Sequence, residues 1–320
     1  MPIKTVGFIG LGVMGASMAE HLLDGGYELV VFNRTKEKAE PLLAKGAKWA
    51  ETPAEVAGAA EVVITIVGYP KDVEDVYLGK NGILETKKGG YVVDMTTSSP
   101  ILARRIYKEA KAKGVAALDA PVSGGDIGAR NGQLVIVVGG DREAFDALKP
   151  IFELMGRTIR YFGEAGAGQY TKMVNQIAIA SGMLGVAEAV AFAKKSGLNP
   201  VDVVETISGG AAASWSLSNL APRMIRGDDA PGFYIKHIIK DMGIALECAK
   251  EMHLELPGLT LAKRLYDELA ARGMEDCGTQ TLIRWYLKQY EMRSVRSAFL
   301  ILKCLRIFYM FFAKGFCGGL

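Results

Sequence analysis

The chain has 320 residues, half of them hydrophobic and 23% charged, a balance that excludes disordered and fibrous classes and allows two domains with sizeable cores. Its net charge of +3 is misleading, because residues 291–320 hold five Arg or Lys against one Glu, leaving residues 1–290 near −1 and giving the body no basic field for nucleic acid. Cys248, Cys277, Cys304 and Cys317 lie far apart with no CxxC pair, and the three histidines sit at no metal-ligand spacing, so a disulfide framework and a metal centre are both unexpected and a reduced, cytoplasmic compartment fits.

The first apolar run, IKTVGFI (residues 3–9), lacks the basic start and cleavage site of a secretory signal and is broken by Gly7 and Gly10. It reads as a first strand. The next residues are GLGVMG (10–15), then VMGASMAEHLLDGG with apolar residues at helical spacing and a stop at Asp24-Gly25-Gly26, then a second strand, YELVVF. Strand, glycine turn, helix and strand within about 30 residues is the setting that a dinucleotide phosphate cradle requires. In that reading Gly10 permits the tight turn, Gly12 lets backbone approach the pyrophosphate and Gly15 lets helix and strand pack closely, with Leu11, Val13 and Met14 completing the loop. The second strand ends in Asn33-Arg34-Thr35, where an acidic residue would hold the ribose 2′-hydroxyl of NAD. Three side chains able to hydrogen-bond a 2′-phosphate, one of them cationic, favour NADP(H), with NAD(H) as the alternative.

The alternation continues with a helix near 36–46, a short strand near 47–49, a helix at 53–59 and a strand at 62–67. Strands follow at YVVDM (91–95), AALDAP (116–121) and LVIVVG (134–139), with helical segments between them. Continuous apolar strands are buried on both faces, so residues 1–163 are expected to form an α/β Rossmann domain, a doubly wound, mainly parallel sheet. From residue 164 the pattern changes. Residues 171–197 can run as one helix of about 27 residues, apolar nearly all round, with Ala178, Ser181, Gly182 and Gly185 allowing close approach of another helix. Residues 164–290 are therefore expected to form an all-helical second domain through which the chain makes a homodimer or homotetramer.

Five blocks together resemble the β-hydroxyacid dehydrogenase family, which includes 3-hydroxyisobutyrate dehydrogenases and the tartronate, glyoxylate and succinic semialdehyde reductases. They are GFIGLGVMG, VVDMTTSSP (92–100), DAPVSGGDIGARNGQL (119–134), GAGQYTKMVNQ (166–176) and FYIKHIIKDMGIAL (233–246), and the similarity spans residues 1 to about 290. The resemblance implies hydride transfer between a nicotinamide dinucleotide and a small carboxylate-bearing substrate. Ser123, Gly124 and Gly125 would bind the carboxylate, which suits a hydroxyl beside two unobstructed backbone N–H groups. Lys172 would be the acid/base, and Asn175 and Gln176, at i+3 and i+4 from it, share its helix face. Some relatives carry two asparagines there, so which amide orients the substrate stays open. Phe233 and Asp241 are implied as walls of the substrate site, and Val67, Thr97 and Lys240 as cofactor contacts. A lysine at the start of a buried helix should have its pKa lowered toward working pH. His237 falls beside these residues and reads as structural. Ser214 and Trp215 either line the pocket or pack helices.

Two rivals remain at this stage, an imine reductase and a dinucleotide-binding module without chemistry, and Lys172 with the intact Ser123-Gly124-Gly125 weighs against both. Phosphogluconate dehydrogenases also resemble the chain but carry a much larger helical domain. Residues 291–320 lie beyond the resemblance. Lys303 and Arg306 cut their apolar stretch into runs of 5 and 7, short of the ~20 residues of a membrane span. They suit a basic amphipathic helix on a membrane surface or on the body, or an extension without a selected role.

Overall fold

A computed structural model describes residues 3–287; the expectations for residues 291–320 fall outside them. By its contacts the chain forms two compact units, one of residues 3–178 with 236–260 and one of 179–235 with 261–287. The first unit therefore takes in the start of the long helix and a later helical stretch, both beyond the boundary expected at 163.

The first unit is built on a nine-stranded sheet: β1 (Thr5–Ile9), β2 (Glu28–Phe32), β3 (Lys48–Trp49), β4 (Val62–Thr65), β5 (Tyr91–Asp94), β6 (Ala116–Asp119), β7 (Val122–Ser123), β8 (Leu134–Gly140) and β9 (Gly156–Gly163). Their order is β3-β2-β1-β4-β5-β6-β8-β7, with β9 pairing β8. From β3 to β6 every pairing is parallel, as expected for a doubly wound sheet. The far edge differs. β8 runs antiparallel to β6 and β7 and parallel to β9; the strand expected at 116–121 ends at Asp119, the short β7 lies beyond it, and β9 was not foreseen because its arginines and half-exposed residues break the apolar pattern.

Side chains alternate across this sheet and build a core on each face. Val6, Phe8, Val31, Ile64 and Val93 pack on one side with Leu22, Leu148 and Phe152, while Ile9, Val30, Val63 and Val92 pack on the other with Val56, Tyr77 and Ile106. Successive strands leave β1 in opposite directions, β2 to one side and β4 to the other, and open α/β sheets bind ligands outside the carboxyl ends of their strands at such a switch point. Helix Gly15–Asp24 starts there with no side-chain cap, whereas Thr52 and Ser99 cap the helices Pro53–Ala59 and Pro100–Lys111 through Glu55 N–H and Leu102 N–H. Ala16 N–H turns back to the Gly12 carbonyl at 3.1 Å, and no side chain caps the N–H groups beside it.

Helix Ala167–Lys195 has 29 residues and is long and apolar enough to cross a membrane by length and composition, yet half of its most apolar window is buried inside the protein. It continues into the second unit. There the helices Pro200–Ile207, Trp215–Asn219 and Ala221–Arg226 and a turn at Thr279–Leu282 surround Val204, Leu217, Met224, Leu265, Tyr266 and Leu282. Arg223 grips Asp228 through two hydrogen bonds (2.8 and 3.1 Å), holding its carboxyl down at about 2, and Tyr266 donates to the Thr279 carbonyl at 2.8 Å.

Two buried carboxylates end neighbouring strands of the sheet, Asp94 on β5 and its register partner Asp119 on β6. Burial pushes Asp94 up from 3.8 to about 6, with the Asp119 charge adding to the rise and hydrogen bonds from Thr96 and Thr65 opposing it. The folded protein thus holds this proton more tightly than the unfolded chain, and stability is lost as pH rises from 3.8 through about 6. Asp94→Asn keeps the oxygen that accepts from Thr65 and Thr96 N–H and removes the charge. It should stabilise the protein by on the order of 1–3 kcal/mol at about pH 7.5 and lose that advantage below about pH 4.5, as read from urea unfolding at the two pH values.

Candidate active site

The glycine loop closes the carboxyl end of β1. Gly10 holds φ +100°, donates its N–H to the Phe32 carbonyl at 3.0 Å, and has the Ile66 carbonyl where a Cβ would stand. A Cβ on Gly15 would run into the Gly10 carbonyl, so these two positions are closed by protein backbone. Gly12 is the opposite: it is exposed, and nothing of the protein lies within 4 Å of where its Cβ would be. A backbone laid bare next to an uncapped helix start fits a pyrophosphate, whose charge that helix end favours. Val13 beside it is 63% exposed.

Asn33 ties this loop to the end of β2, its Oδ1 accepting Leu11 N–H at 2.9 Å and its amide donating to the Thr35 carbonyl at 2.8 Å. Arg34 projects outward with its side chain 81% exposed and pairs with Asp72 at 3.0 Å, while the other Asp72 oxygen accepts Tyr69 N–H. After β4, Val67 donates its N–H to Thr96 Oγ1 at 2.9 Å. After β5, the Thr97 carbonyl accepts from Lys240 Nζ at 2.5 Å. Thr97 and Lys240, two of the residues expected to contact the cofactor, thus also bind each other.

Around the start of the long helix the remaining polar groups converge. Lys172 is buried, and its Nζ donates to Ser123 Oγ at 2.8 Å. Burial lowers its pKa from 10.5 to about 8; the nearby Asp241 charge works against that drop and the Lys240 charge adds to it. One turn on, Asn175 donates to Gln176 Oε1 (2.7 Å), and Gln176 donates to Asp241 Oδ2 (2.5 Å). Lys240 Nζ lies 3.1 Å from the other Asp241 oxygen, an ion pair outside hydrogen-bond alignment. Gln176 and Asp241 are buried while Asn175 is half-exposed. Gly124 and Gly125, both exposed, have φ of +128° and +63°, a pair of conformations that side chains resist.

Of the residues picked out in the sequence, Ser123, Lys172, Asn175, Gln176, Lys240, Asp241, Thr97, Val67 and the glycine loop all belong to the first unit. Phe233 belongs to the second, where its carbonyl accepts Thr279 N–H at 3.0 Å. His237 meets the edge of the Tyr69 ring at 6.3 Å. Ser214 caps helix Trp215–Asn219 through Leu217 N–H, and Trp215 is 70% exposed. Sequence reasoning passed over Thr96, Gln169 and Asp72. Thr96 and Gln169 stand inside quoted blocks, but their partners lie 29 and 71 to 73 positions away, so no local signal marks them.

Residues 5–163 match the family described as the NAD-binding domain of 6-phosphogluconate dehydrogenase, and residues 166–286 match that described as NAD-binding of NADP-dependent 3-hydroxyisobutyrate dehydrogenase. The chain is 62% identical to the uncharacterised oxidoreductase YkwC of Bacillus subtilis, covering 89% of this chain and 99% of that one. It is 40% identical to 2-hydroxy-3-oxopropionate reductase of Escherichia coli, covering 87% and 96%. The chain belongs to the β-hydroxyacid dehydrogenase family. Its fold matches that of 3-hydroxyisobutyrate dehydrogenase of Mycobacterium tuberculosis, solved with L-serine, at a TM-score of 0.82 and 29% identity over 88% of this chain and 98% of that one. It is an oxidoreductase that uses a nicotinamide dinucleotide and acts in the hydroxyacid and semialdehyde class.

The glycines separate cradle from scaffold in an experiment. Gly12→Ala should fold with wild-type stability and bind dinucleotide about tenfold or more weakly, whereas Gly15→Ala should lose stability first, because its methyl meets backbone. Thermal unfolding and a fluorescence titration with NADPH, run on both variants, check the two halves.

Proposed function

We propose that the enzyme is NADP(H)-preferring and interconverts a small aldehyde-acid, of the semialdehyde or glyoxylate class, with its hydroxyacid, Lys172 passing the proton. The observation that carries this reading is the buried Lys172 ammonium beside Ser123, with a pKa of about 8. Gly10 to Gly15, with Leu11, Val13 and Met14, would hold the pyrophosphate, and Val67, Thr97 and Lys240 the nicotinamide side. The bound nicotinamide supplies hydride to the carbonyl carbon or takes it from the hydroxyacid. Ser123 with the exposed backbone of Gly124 and Gly125 holds the substrate carboxylate. Lys172 gives its proton to the oxygen that gains charge during reduction, and its neutral amine takes that proton back during oxidation.

The amides divide their work in this reading. Gln176 spends its donor on buried Asp241 and its acceptor on Asn175, which fixes the half-exposed Asn175 as the amide that faces substrate, with Gln176 fixing its orientation. Asp241 lines the substrate site. Arg34, Asn33 and Thr35 supply the NADP(H) preference, because no carboxylate ends β2 and Arg34 can meet a 2′-phosphate with a charge-assisted bond. The match of residues 166–286 to a family described as NADP-dependent supports this choice. We place the enzyme in the cytoplasm as a homodimer or homotetramer formed through its helical residues. Exposed Phe192, Leu198, Val201 and Trp215 in the second unit support an interface there.

Four experiments test the reading. Reduction needs the Lys172 ammonium, so its rate should hold below about pH 8 and fall about tenfold per unit above, while oxidation rises toward the same midpoint. Lys172→Met should lower kcat about 10²- to 10⁴-fold. Because burying the ammonium costs stability below about pH 8, the same variant should unfold later, by about 2–3 kcal/mol at neutral pH. Retained turnover would remove the mechanism. For the cofactor, Arg34→Ala should raise KM for NADPH about tenfold and leave KM for NADH within about twofold. A panel of glyoxylate and succinic, tartronate and methylmalonate semialdehydes, each with NADPH and NADH, identifies the substrate by kcat/KM.

A further inference from the structure

The long helix begins against the ends of three strands, and its first turn is held more tightly than packing alone would require. Asp119, at the end of β6, is buried, and its carboxylate accepts the Gly166 N–H at 2.7 Å through Oδ1 and the Gln169 N–H at 2.8 Å through Oδ2. These are N–H groups that a helix start leaves without partners. Gly168 sits so close to the sheet that a Cβ there would stand 2.5 Å from the Asp119 carbonyl and 2.6 Å from the Val137 carbonyl, and a Cβ on Gly139 would stand 2.7 Å from Gly168 N. Backbone therefore meets backbone, with no slack for the helix to shift toward the strands.

The Gln169 side chain adds a second tie, to a different strand. It is fully buried; its Oε1 accepts Ser98 N–H at 2.9 Å and its amide donates to the Thr96 carbonyl at 2.7 Å. Gln169 thus brackets Thr97, whose carbonyl holds Lys240, and Thr96, whose hydroxyl holds Val67. Lys172 is three residues along the same helix, on the turn that follows the one these bonds fix.

We infer that Gln169 and Asp119 are positioning residues for Lys172, locking the first turn of the helix to the ends of β5 and β6 so that the lysine stays buried and aligned with the loop that carries Thr97. The inference rests on the reading of Lys172 as the proton donor and extends it to two residues that touch neither substrate nor cofactor. Released from these ties, the turn would let water reach Lys172, and the midpoint of the reduction profile would move up toward that of an ordinary lysine. The charged groups at that end of the sheet are Asp241 and Lys240 on helix Ile235–Glu251, the two strand-end carboxylates Asp94 and Asp119, and Arg104 of helix Pro100–Lys111, whose guanidinium lies over the Tyr170 ring at 5.1 Å. None of them is altered by a change at Gln169.

The test uses full-length Gln169→Met, which keeps the length and removes both hydrogen bonds, and Gln169→Glu, which keeps the acceptor for Ser98 and opposes the Thr96 carbonyl. In Gln169→Met, kcat should fall about tenfold or more, Kd for NADPH should stay within about twofold, and the alkaline midpoint should rise by about half a unit or more. Gln169→Glu should do the same to a smaller extent, and Asp119→Asn, whose amide nitrogen would face an N–H group, should move the midpoint in the same direction. A folded Gln169→Met with wild-type kcat, or with a lowered kcat and an unmoved midpoint, overturns the proposal, as does failure of all three variants to fold. Lys172→Met, assayed beside them, separates the two readings. If it retains turnover, the proton-donor reading fails whatever the Gln169 variants do.

Discussion

Removing the Lys172 ammonium from water is the constraint around which the rest of this structure is arranged. A buried ammonium loses hydration worth several kcal/mol and must be repaid in fixed dipoles or opposite charge. Here the partners are few: one hydroxyl, Ser123 Oγ at 2.8 Å, and the field of Asp241. Two cations, Lys172 and Lys240, share that one carboxylate, and Asp241 is in turn held by Gln176. The cluster is short of negative charge. Burial, only partly offset by Asp241, holds the lysine at about 8, and a carboxylate bound beside it would raise that value. In the proposed mechanism, substrate binding and the basicity of Lys172 would be coupled by the same field.

The parallel sheet places the remaining pieces. All its strands from β3 to β6 point their carboxyl ends one way, so the glycine loop after β1, Asn33 after β2, Val67 after β4 and Thr96 and Thr97 after β5 form one row. The row is stitched laterally by side chain to backbone bonds, Asn33 to Leu11 and Thr96 to Val67, which satisfy loop N–H groups that the ladder no longer reaches. The small polar side chains at these strand ends serve as the loops' own framework, and that role leaves the outward faces of the loops free for a ligand.

Much of this was legible from the chain. Periodicity and glycine spacing located β1 to β6, because strands buried on both faces must be apolar throughout, and the site blocks came from sequence resemblance. What escaped was long-range polar pairing. β9 reads GRTIRYFG, with arginines facing solvent, and it becomes a strand through its partner β8 rather than through its own composition. Gln169 looks like any polar residue near a helix start, and its importance lies in Ser98 and Thr96, more than 70 positions earlier. Arg34 was legible as a cation suited to phosphate, but its pairing with Asp72, 38 positions away, was not.

That pairing shows how one residue can serve two needs. Asp72 accepts Tyr69 N–H at the start of helix Pro70–Leu78, and its other oxygen holds the Arg34 guanidinium. The carboxylate is 21% exposed and anchored, while the guanidinium is 81% exposed and held at one end. A surface ion pair of this kind contributes little to stability. If Arg34 meets a 2′-phosphate as proposed, the pair acts on entropy: a long side chain already held at one end would lose less freedom, although the phosphate would then share the cation with a carboxylate. In the proposed reading the two effects would oppose each other, and selectivity between the two dinucleotides would rest on a small difference set by Asp72 as well as on the presence of Arg34.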